Sequence, residues 1–154
     1  MTNKNSYSKG QSLFELVVAI AVSALIIVAM VSLTTNSIRN SSYSRNKTQA
    51  VTFSQQAVEW LRGERDNDTE DFIYHSITPA WCLPSLEWSI PASNPVADCT
   101  AKISGTVFSR WVTFDTTLQS GKTVVEASVV VTWSDAEGLH EIRNSTILTD
   151  WRQR

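Results

Sequence analysis

One long apolar run near the N-terminus constrains this chain more than any other feature. Between residues 13 and 33 the only clearly polar side chains are Glu15, Ser23 and Ser32. As an α-helix this run would extend about 31 Å, which matches the hydrocarbon thickness of a bilayer. The whole chain is 42% apolar and 18% charged, as in ordinary globular proteins. We therefore expect one membrane-spanning segment followed by one soluble domain.

The flank before the apolar run predicts its orientation. Lys4 and Lys9 are basic, and residues 1–10 contain no acid. Because cytoplasmic flanks of membrane helices are enriched in Lys and Arg, we expect residues 1–10 to lie in the cytoplasm and the soluble domain to lie on the other side of the membrane.

Charge and motif content argue against several classes of function. The net charge is −2, and no Lys/Arg cluster suited to a phosphate backbone occurs, so nucleic-acid binding is not indicated. No nucleophile elbow, P-loop, dinucleotide fingerprint or metal-binding histidine pair is present, so we expect no enzyme, no cofactor and no metal site. His75 is interpreted as a surface histidine. The acids in residues 65–71 are interpreted as a solvated charged turn, with calcium binding as the alternative.

Three interpretations of the apolar run compete. A secretory signal would be cut near residues 21–24, but the run continues well beyond that point. A plain single-pass anchor fits the length. Neither explains why the acid Glu15 lies near the start of the run, where an ionised carboxylate is costly.

The third interpretation accounts for the acid. Residues 9–16, KGQSLFEL, resemble the cleavage signature of type IV prepilins and type II secretion pseudopilins, in which a short basic leader ends in Gly and a Glu follows five residues later. The resemblance implies that prepilin peptidase cuts between Gly10 and Gln11, that the new terminus is methylated, and that Glu15 pairs with the amine of a neighbouring subunit. The family most often has Phe where this chain has Gln11.

The pairing of Glu15 has a physical reason that does not depend on the family. A carboxylate in hydrocarbon must be neutralised or paired, and the α-ammonium of another chain is a partner that exists only after cleavage and assembly. The alternative is a carboxylate that extends to the membrane interface.

The helix is expected to continue far beyond the membrane. Residues 11–62 contain no glycine or proline, so nothing forces a break before Gly63, which suits a C-terminal cap. We expect a membrane segment at 11–33 and an amphipathic continuation at 34–62. An apolar stripe on the continuation should pack against the soluble domain, and it comprises Ala50, Val51, Ala57, Val58 and Leu61.

All four prolines fall within residues 79–99, which predicts an irregular loop. Cys82 and Cys99 lie in this loop, and outside the cytoplasm a disulfide between them is the leading interpretation, with free buried thiols as the alternative. Trp81 and Trp88 form either a small core of the loop or a contact surface for other subunits.

Three later segments alternate like strands, at 108–114, 124–133 and 140–148, and a short edge strand is expected at 101–104. The second strand places five residues on one face: Val125, Ala127, Val129, Val131 and Trp133. We therefore expect an α+β domain at 63–154, in which a small antiparallel sheet covers the stripe of the long N-terminal helix.

The C-terminal phrases VVTWSD and STILTDW are similar to the tails of minor pilins and small pseudopilins, and Ser32 stands where many major pilins have proline. The implied function is a structural subunit of a type IV pilus-like or type II secretion filament. Its implied partners are prepilin peptidase, other pilin subunits and the membrane. Its implied location is the inner membrane and then a periplasmic or extracellular filament. The alternative is a membrane-anchored extracellular binding or sensing module.

Overall fold

The structure is a computed structural model that describes residues 9–119 and 122–149, with side chains from residue 13 onward. Its arrangement is the expected α+β one, a long N-terminal helix packed against a small antiparallel sheet. The predicted leader at 1–10 lies outside the described residues except for the backbone of Lys9 and Gly10. In chain order the elements are α1 (Lys9–Asn67), α2 (Thr69–Ser76), β1 (Ala80–Cys82), β2 (Ile90–Pro91), α3 (Pro95–Asp98), β3 (Ser109–Gln119), β4 (Lys122–Asp135) and β5 (Gly138–Thr149).

The chain divides into two compact units, residues 1–44 and residues 45–154. The first contains the N-terminal part of α1, including the apolar run. The second contains the remaining turns of α1 together with α2, α3 and the five strands. The sheet and its core therefore belong entirely to the second unit.

Helix α1 continues past Gly63, so the expected cap at that position was wrong. The helix is 59 residues long and ends at Asn67. Gly63 has an ordinary helical backbone, and one helical glycine costs only about 1 kcal/mol relative to alanine. The helical turn after Gly63 is stabilised by a contact with another part of the chain, because Glu64 accepts a hydrogen bond of 2.8 Å from Trp88 Nε1. This long-range contact offsets the weak local propensity.

Replacing Gly63 with alanine should stabilise the protein. A Cβ at this position would meet no atom within 4 Å, so the gain in helix propensity of about 1 kcal/mol carries no steric cost. Denaturant unfolding followed by tryptophan fluorescence measures it. The matched control is Gly105→Ala, which should destabilise because Gly105 has a φ of +71°. Equal effects of the two substitutions would contradict the helical role of Gly63.

The acidic segment 65–71 is largely exposed, as predicted, but it is helical on both sides of Asp68 and not a turn, which corrects the sequence-based interpretation. Its first residues end α1, and Asp68, with φ −142° and ψ 98°, separates α1 from α2. The Asp68 carboxylate accepts hydrogen bonds of 3.1 Å from the backbone N–H groups of Glu70 and Asp71. These two acids then lie in the first turn of α2, where the helix dipole favours negative charge. The acidic run thus builds a helix N-terminus.

The five strands form one antiparallel sheet in the order β2-β1-β3-β4-β5. The three strand segments expected from alternation correspond to β3, β4 and β5, each of which is longer than predicted. The edge strand expected at 101–104 is absent from the described residues, where Lys102 forms only an isolated bridge with Ser109. Beyond β3 the sheet instead continues with β1 and then β2, which is the edge strand. Both come from the proline-containing segment, which also forms α3, so that segment is not wholly irregular as predicted.

One face of the sheet packs against α1. The five residues predicted to share a face of β4 are all at most 1% exposed, as the alternation of strand side chains requires. On α1 the buried positions are Ala50, Ser54, Ala57, Val58 and Leu61. Val51, expected in this stripe, is 37% exposed, and Ser54 takes its place because it lies four residues after Ala50 on the same helix face.

The opposite face of the sheet carries a second small core that the alternation did not reveal. It is formed by Ala80, Cys82, Ala92, Cys99, Trp111 and Val130. Cys82 and Cys99 are joined in a disulfide. The segment between them therefore covers part of the outer face and buries Trp111, which is only 6% exposed.

Removing the disulfide should lower stability substantially. The two cysteines are 17 residues apart, and closing a loop of that size is worth about 3 kcal/mol on the chain-entropy model. We expect the double substitution Cys82→Ser and Cys99→Ser to reduce the free energy of unfolding by that amount. The reduced wild-type chain should show the same loss. A loss below about 0.5 kcal/mol in both would show that the link is not structural.

A buried arginine joins three parts of the second unit. Arg110 lies on β3 and is only 3% exposed. Its Nε donates to the carbonyl of Leu83 at 3.0 Å, and one terminal N–H donates to the carbonyl of Phe53 on α1 at 3.1 Å. Burial lowers the pKa of Arg110 to about 10, because the charged form loses hydration. Sequence reasoning missed this residue because Arg110 occupies an inward position of the strand, where alternation predicts an apolar side chain.

Trp81 and Trp88 belong to an intramolecular aromatic cluster, which decides between the two alternatives left open for them. The Trp88 ring lies 4.6 Å from the Trp60 ring of α1 and stacks on His75 at 4.8 Å. Trp81 is 9% exposed and donates from Nε1 to the carbonyl of His75 at 3.0 Å. His75 is therefore not a surface histidine as predicted, since its side chain is only 17% exposed.

Candidate functional site: the exposed apolar helix and its carboxylate

The first unit presents a helix that is long and apolar enough to cross a membrane. The most apolar 18-residue stretch within Leu13–Asn67 has a mean hydropathy of 3.0, and none of it is buried. Among the described residues it is the only helix of this length and hydropathy. Single-pass anchoring in a membrane, expected from the sequence, is consistent with this finding.

The apolar surface of this helix extends around its whole circumference. Every residue from 13 to 42 is exposed, including Phe14 at 73%, Leu25 at 71% and Leu33 at 70%. A surface helix of a soluble protein would instead confine its apolar residues to one stripe. This segment therefore requires either lipid or the helices of other chains around it.

Three hydroxyl groups in and just beyond the apolar run donate to backbone carbonyls of the helix itself. Ser23 donates to the carbonyl of Ala19 at 2.8 Å, and Thr34 and Thr35 donate to carbonyls one turn earlier at 2.9 Å. Such bonds allow hydroxyl side chains to enter hydrocarbon at low cost. These residues therefore need no partner from another molecule.

Glu15 differs from these hydroxyl residues. It is exposed, and it forms no hydrogen bond or ion pair with any side chain in 13–119 or 122–149. It is the only charged residue between positions 13 and 38. An unpaired carboxylate in hydrocarbon is costly, so Glu15 requires a partner there, and the described part of its own chain provides none.

The predicted processing site lies one turn before this carboxylate. The backbone of Gly10 and Gln11 is helical and continuous with that of Glu15. Gln11 and Glu15 are four positions apart, so they share one helix face. A new amine at Gln11 would therefore lie on the same face as Glu15, near the end of the apolar run.

Asp135 and His140 contribute to local structure in the second unit. Nε2 of His140 donates to the Asp135 carboxylate at 2.8 Å across the β4–β5 hairpin, and this hydrogen bond lowers the pKa of Asp135. The backbone N–H of Glu137 also donates to Asp135. In the described ranges, no group of three or more His, Cys, Asp or Glu is arranged to hold a metal ion.

Comparisons with protein families, with curated proteins and with solved structures found no match for this chain. The case for a function is therefore carried by the exposed apolar helix, the Glu15 carboxylate and the sequence around Gly10.

Proposed function

We propose that this chain is a minor pilin or pseudopilin, a structural subunit of a type IV pilus-like or type II secretion filament. Prepilin peptidase cleaves it between Gly10 and Gln11. The mature subunit waits in the inner membrane and then enters a periplasmic or extracellular filament. Its partners are the peptidase, the membrane and other pilin subunits.

The observation that carries the proposal is that a fully exposed apolar helix contains one carboxylate, Glu15, that has no partner among the described side chains. Lipid alone accommodates the apolar side chains, but it gives no partner to Glu15. A bundle of neighbouring helices accommodates both, because it supplies apolar contact and, after cleavage, an ammonium group. The filament therefore explains a residue that a simple anchor leaves unexplained.

Pairing of Glu15 with a neighbouring amine couples processing to assembly. Before cleavage the chain has no free amine at Gln11, so the carboxylate lacks its cationic partner. After cleavage the amine and the carboxylate of each subunit lie on one helix face. Each subunit can then give its amine to one neighbour and its carboxylate to another, which suits a head-to-tail filament.

The decisive test is the mass of the mature chain isolated from its native host. We expect intact-mass and N-terminal peptide analysis to show a start at Gln11 carrying one methyl group. The control is Gly10→Val, which places a bulky residue at the scissile bond and should leave the leader attached. The wild-type chain should likewise keep its leader where prepilin peptidase is absent.

Other starting residues would support other functions. A start at Met1 or Thr2 in working material would contradict the proposal and favour a membrane-anchored binding or sensing module. A start just after residues 21–24 would identify a secretory signal, and the chain would then lose most of its apolar helix.

A further inference from the structure

The two ends of the sheet differ in how they are protected. One end is β2, which is two residues long and contains Pro91, so it offers little to a further strand. The other end is β5, which is 12 residues long and pairs only with β4 among the described residues. Its outer backbone N–H and C=O groups form a long open edge.

The exposed face of β5 combines apolar side chains with one acid and one base. No proline occurs in Gly138–Thr149, and Leu139 and Ile147 are 71% and 66% exposed. Between them lie Glu141 and Arg143 on the same face. Their closest approach is 4.0 Å, and their side chains are 58% and 56% exposed, so both remain available to a partner strand.

We propose that β5 pairs antiparallel with β5 of a second copy of this chain, with the two-fold axis at Ile142. Outward-directed N–H and C=O groups alternate along a strand, so two identical strands pair in register only when the axis lies at a residue. An axis at Ile142 places Glu141 of each copy opposite Arg143 of the other. The interface then contains two cross-strand pairs of opposite charge.

Charge also disfavours the adjacent registers. An axis at Glu141 would place that carboxylate opposite its own copy, and an axis at Arg143 would place two guanidinium groups opposite each other. Like charges directly opposite destabilise a strand pair. The order Glu-Ile-Arg therefore favours the axis at Ile142 over these two registers, and Ile142 then also meets the β-branched Ile142 of the other copy.

This pairing differs from the contacts that build a filament. It is isologous, whereas subunits along a filament are related head to tail. It therefore joins two free subunits or two subunits of separate filaments, and it depends on neither Glu15 nor cleavage at Gly10. Its failure would leave the proposed filament function untouched.

The test is a charge-reversal cycle on the full chain in detergent micelles, with the dimerisation constant measured by sedimentation velocity. Glu141→Arg and Arg143→Glu should each weaken dimerisation by about tenfold, because each creates two like-charged pairs. The double reversal should restore it to within about threefold of the wild type. Glu126→Arg is the matched control, since Glu126 is exposed on β4, one strand in from the edge, and should change nothing.

Cysteine pairs test the register directly. In a mixture of Glu141→Cys and Arg143→Cys chains, disulfide-linked dimers that contain one chain of each variant should form faster than linked dimers of either variant alone. The reason is that these two positions lie opposite each other only with the axis at Ile142. A chain that stays monomeric at every concentration would overturn the inference. A dimer whose dimerisation constant is unchanged by the two single reversals and the double reversal would also overturn it, because the apolar helix would then explain the association. So would a double reversal that fails to restore the dimer.

Discussion

Glu15→Ala should reduce incorporation of the subunit into filaments at least tenfold while leaving its cleavage and its soluble unit intact. Without the carboxylate, the ammonium at Gln11 of a neighbouring subunit would lie unpaired among apolar helices, and an uncompensated charge in such surroundings costs several kcal/mol. About 1.4 kcal/mol already corresponds to a tenfold change in an equilibrium. Immunoblots of sheared filaments and of membranes measure the partition.

Matched variants separate charge from polarity in this test. Glu15→Asp keeps the charge and should retain part of the incorporation, whereas Glu15→Gln keeps the size but loses the charge and should behave like alanine. Ser23→Ala lies in the same apolar run and removes a hydroxyl that bonds only to its own helix, so it should assemble normally. Normal assembly of Glu15→Ala with a mature start at Gln11 would refute the pairing and favour a carboxylate that reaches the interface.

Arg110→Ala should lower the free energy of unfolding by about 4 kcal/mol, the largest stability effect we expect from a single substitution in this chain. The change empties a buried site and removes the hydrogen bonds to Leu83 and Phe53, which tie the sheet to the loop and to α1. Equilibrium unfolding of the full chain in detergent, followed by tryptophan fluorescence, measures the loss.

A second substitution distinguishes packing from charge at this position. Arg110→Met fills the site without a buried cation, and burial already disfavours the charged form, as the pKa of about 10 indicates. We therefore expect methionine to recover about half of the loss. Arg62→Ala is the control, because Arg62 is 45% exposed and, among the described residues, forms an ion pair only with Glu59 in its own helix. This substitution should change stability by less than about 0.5 kcal/mol. Equal losses for Arg62 and Arg110 would contradict the role of the buried guanidinium.

The strands could be predicted because their pattern is local. Alternation from Val125 to Trp133 requires only that one face be buried, and the structure buries that face. The short strands β1 and β2 could not be predicted in the same way. They are only three and two residues long, and β1 exists because it pairs with β3 about thirty residues later in the chain.

The length of helix α1 could likewise be predicted from local sequence, whereas its last residue could not. Its great length follows from the absence of glycine and proline over residues 11–62. Its end at Asn67 instead of Gly63 depends on the Asp68 cap of α2 and on the bond between Glu64 and Trp88. Local propensity ranks Gly63 as the weakest point of the helix, but contacts from a distant loop offset a penalty of only about 1 kcal/mol.

The sequence by itself determined the membrane-length apolar helix, the isolated acid near its start and the alternating strands, because hydropathy and side-chain periodicity are properties of neighbouring residues. Only the tertiary structure decided that Arg110 is buried, that Trp88 stacks on His75, and that β5 pairs with β4 alone among the described strands. Each of these depends on which distant segments meet, and that choice is made by the packing of the whole soluble unit.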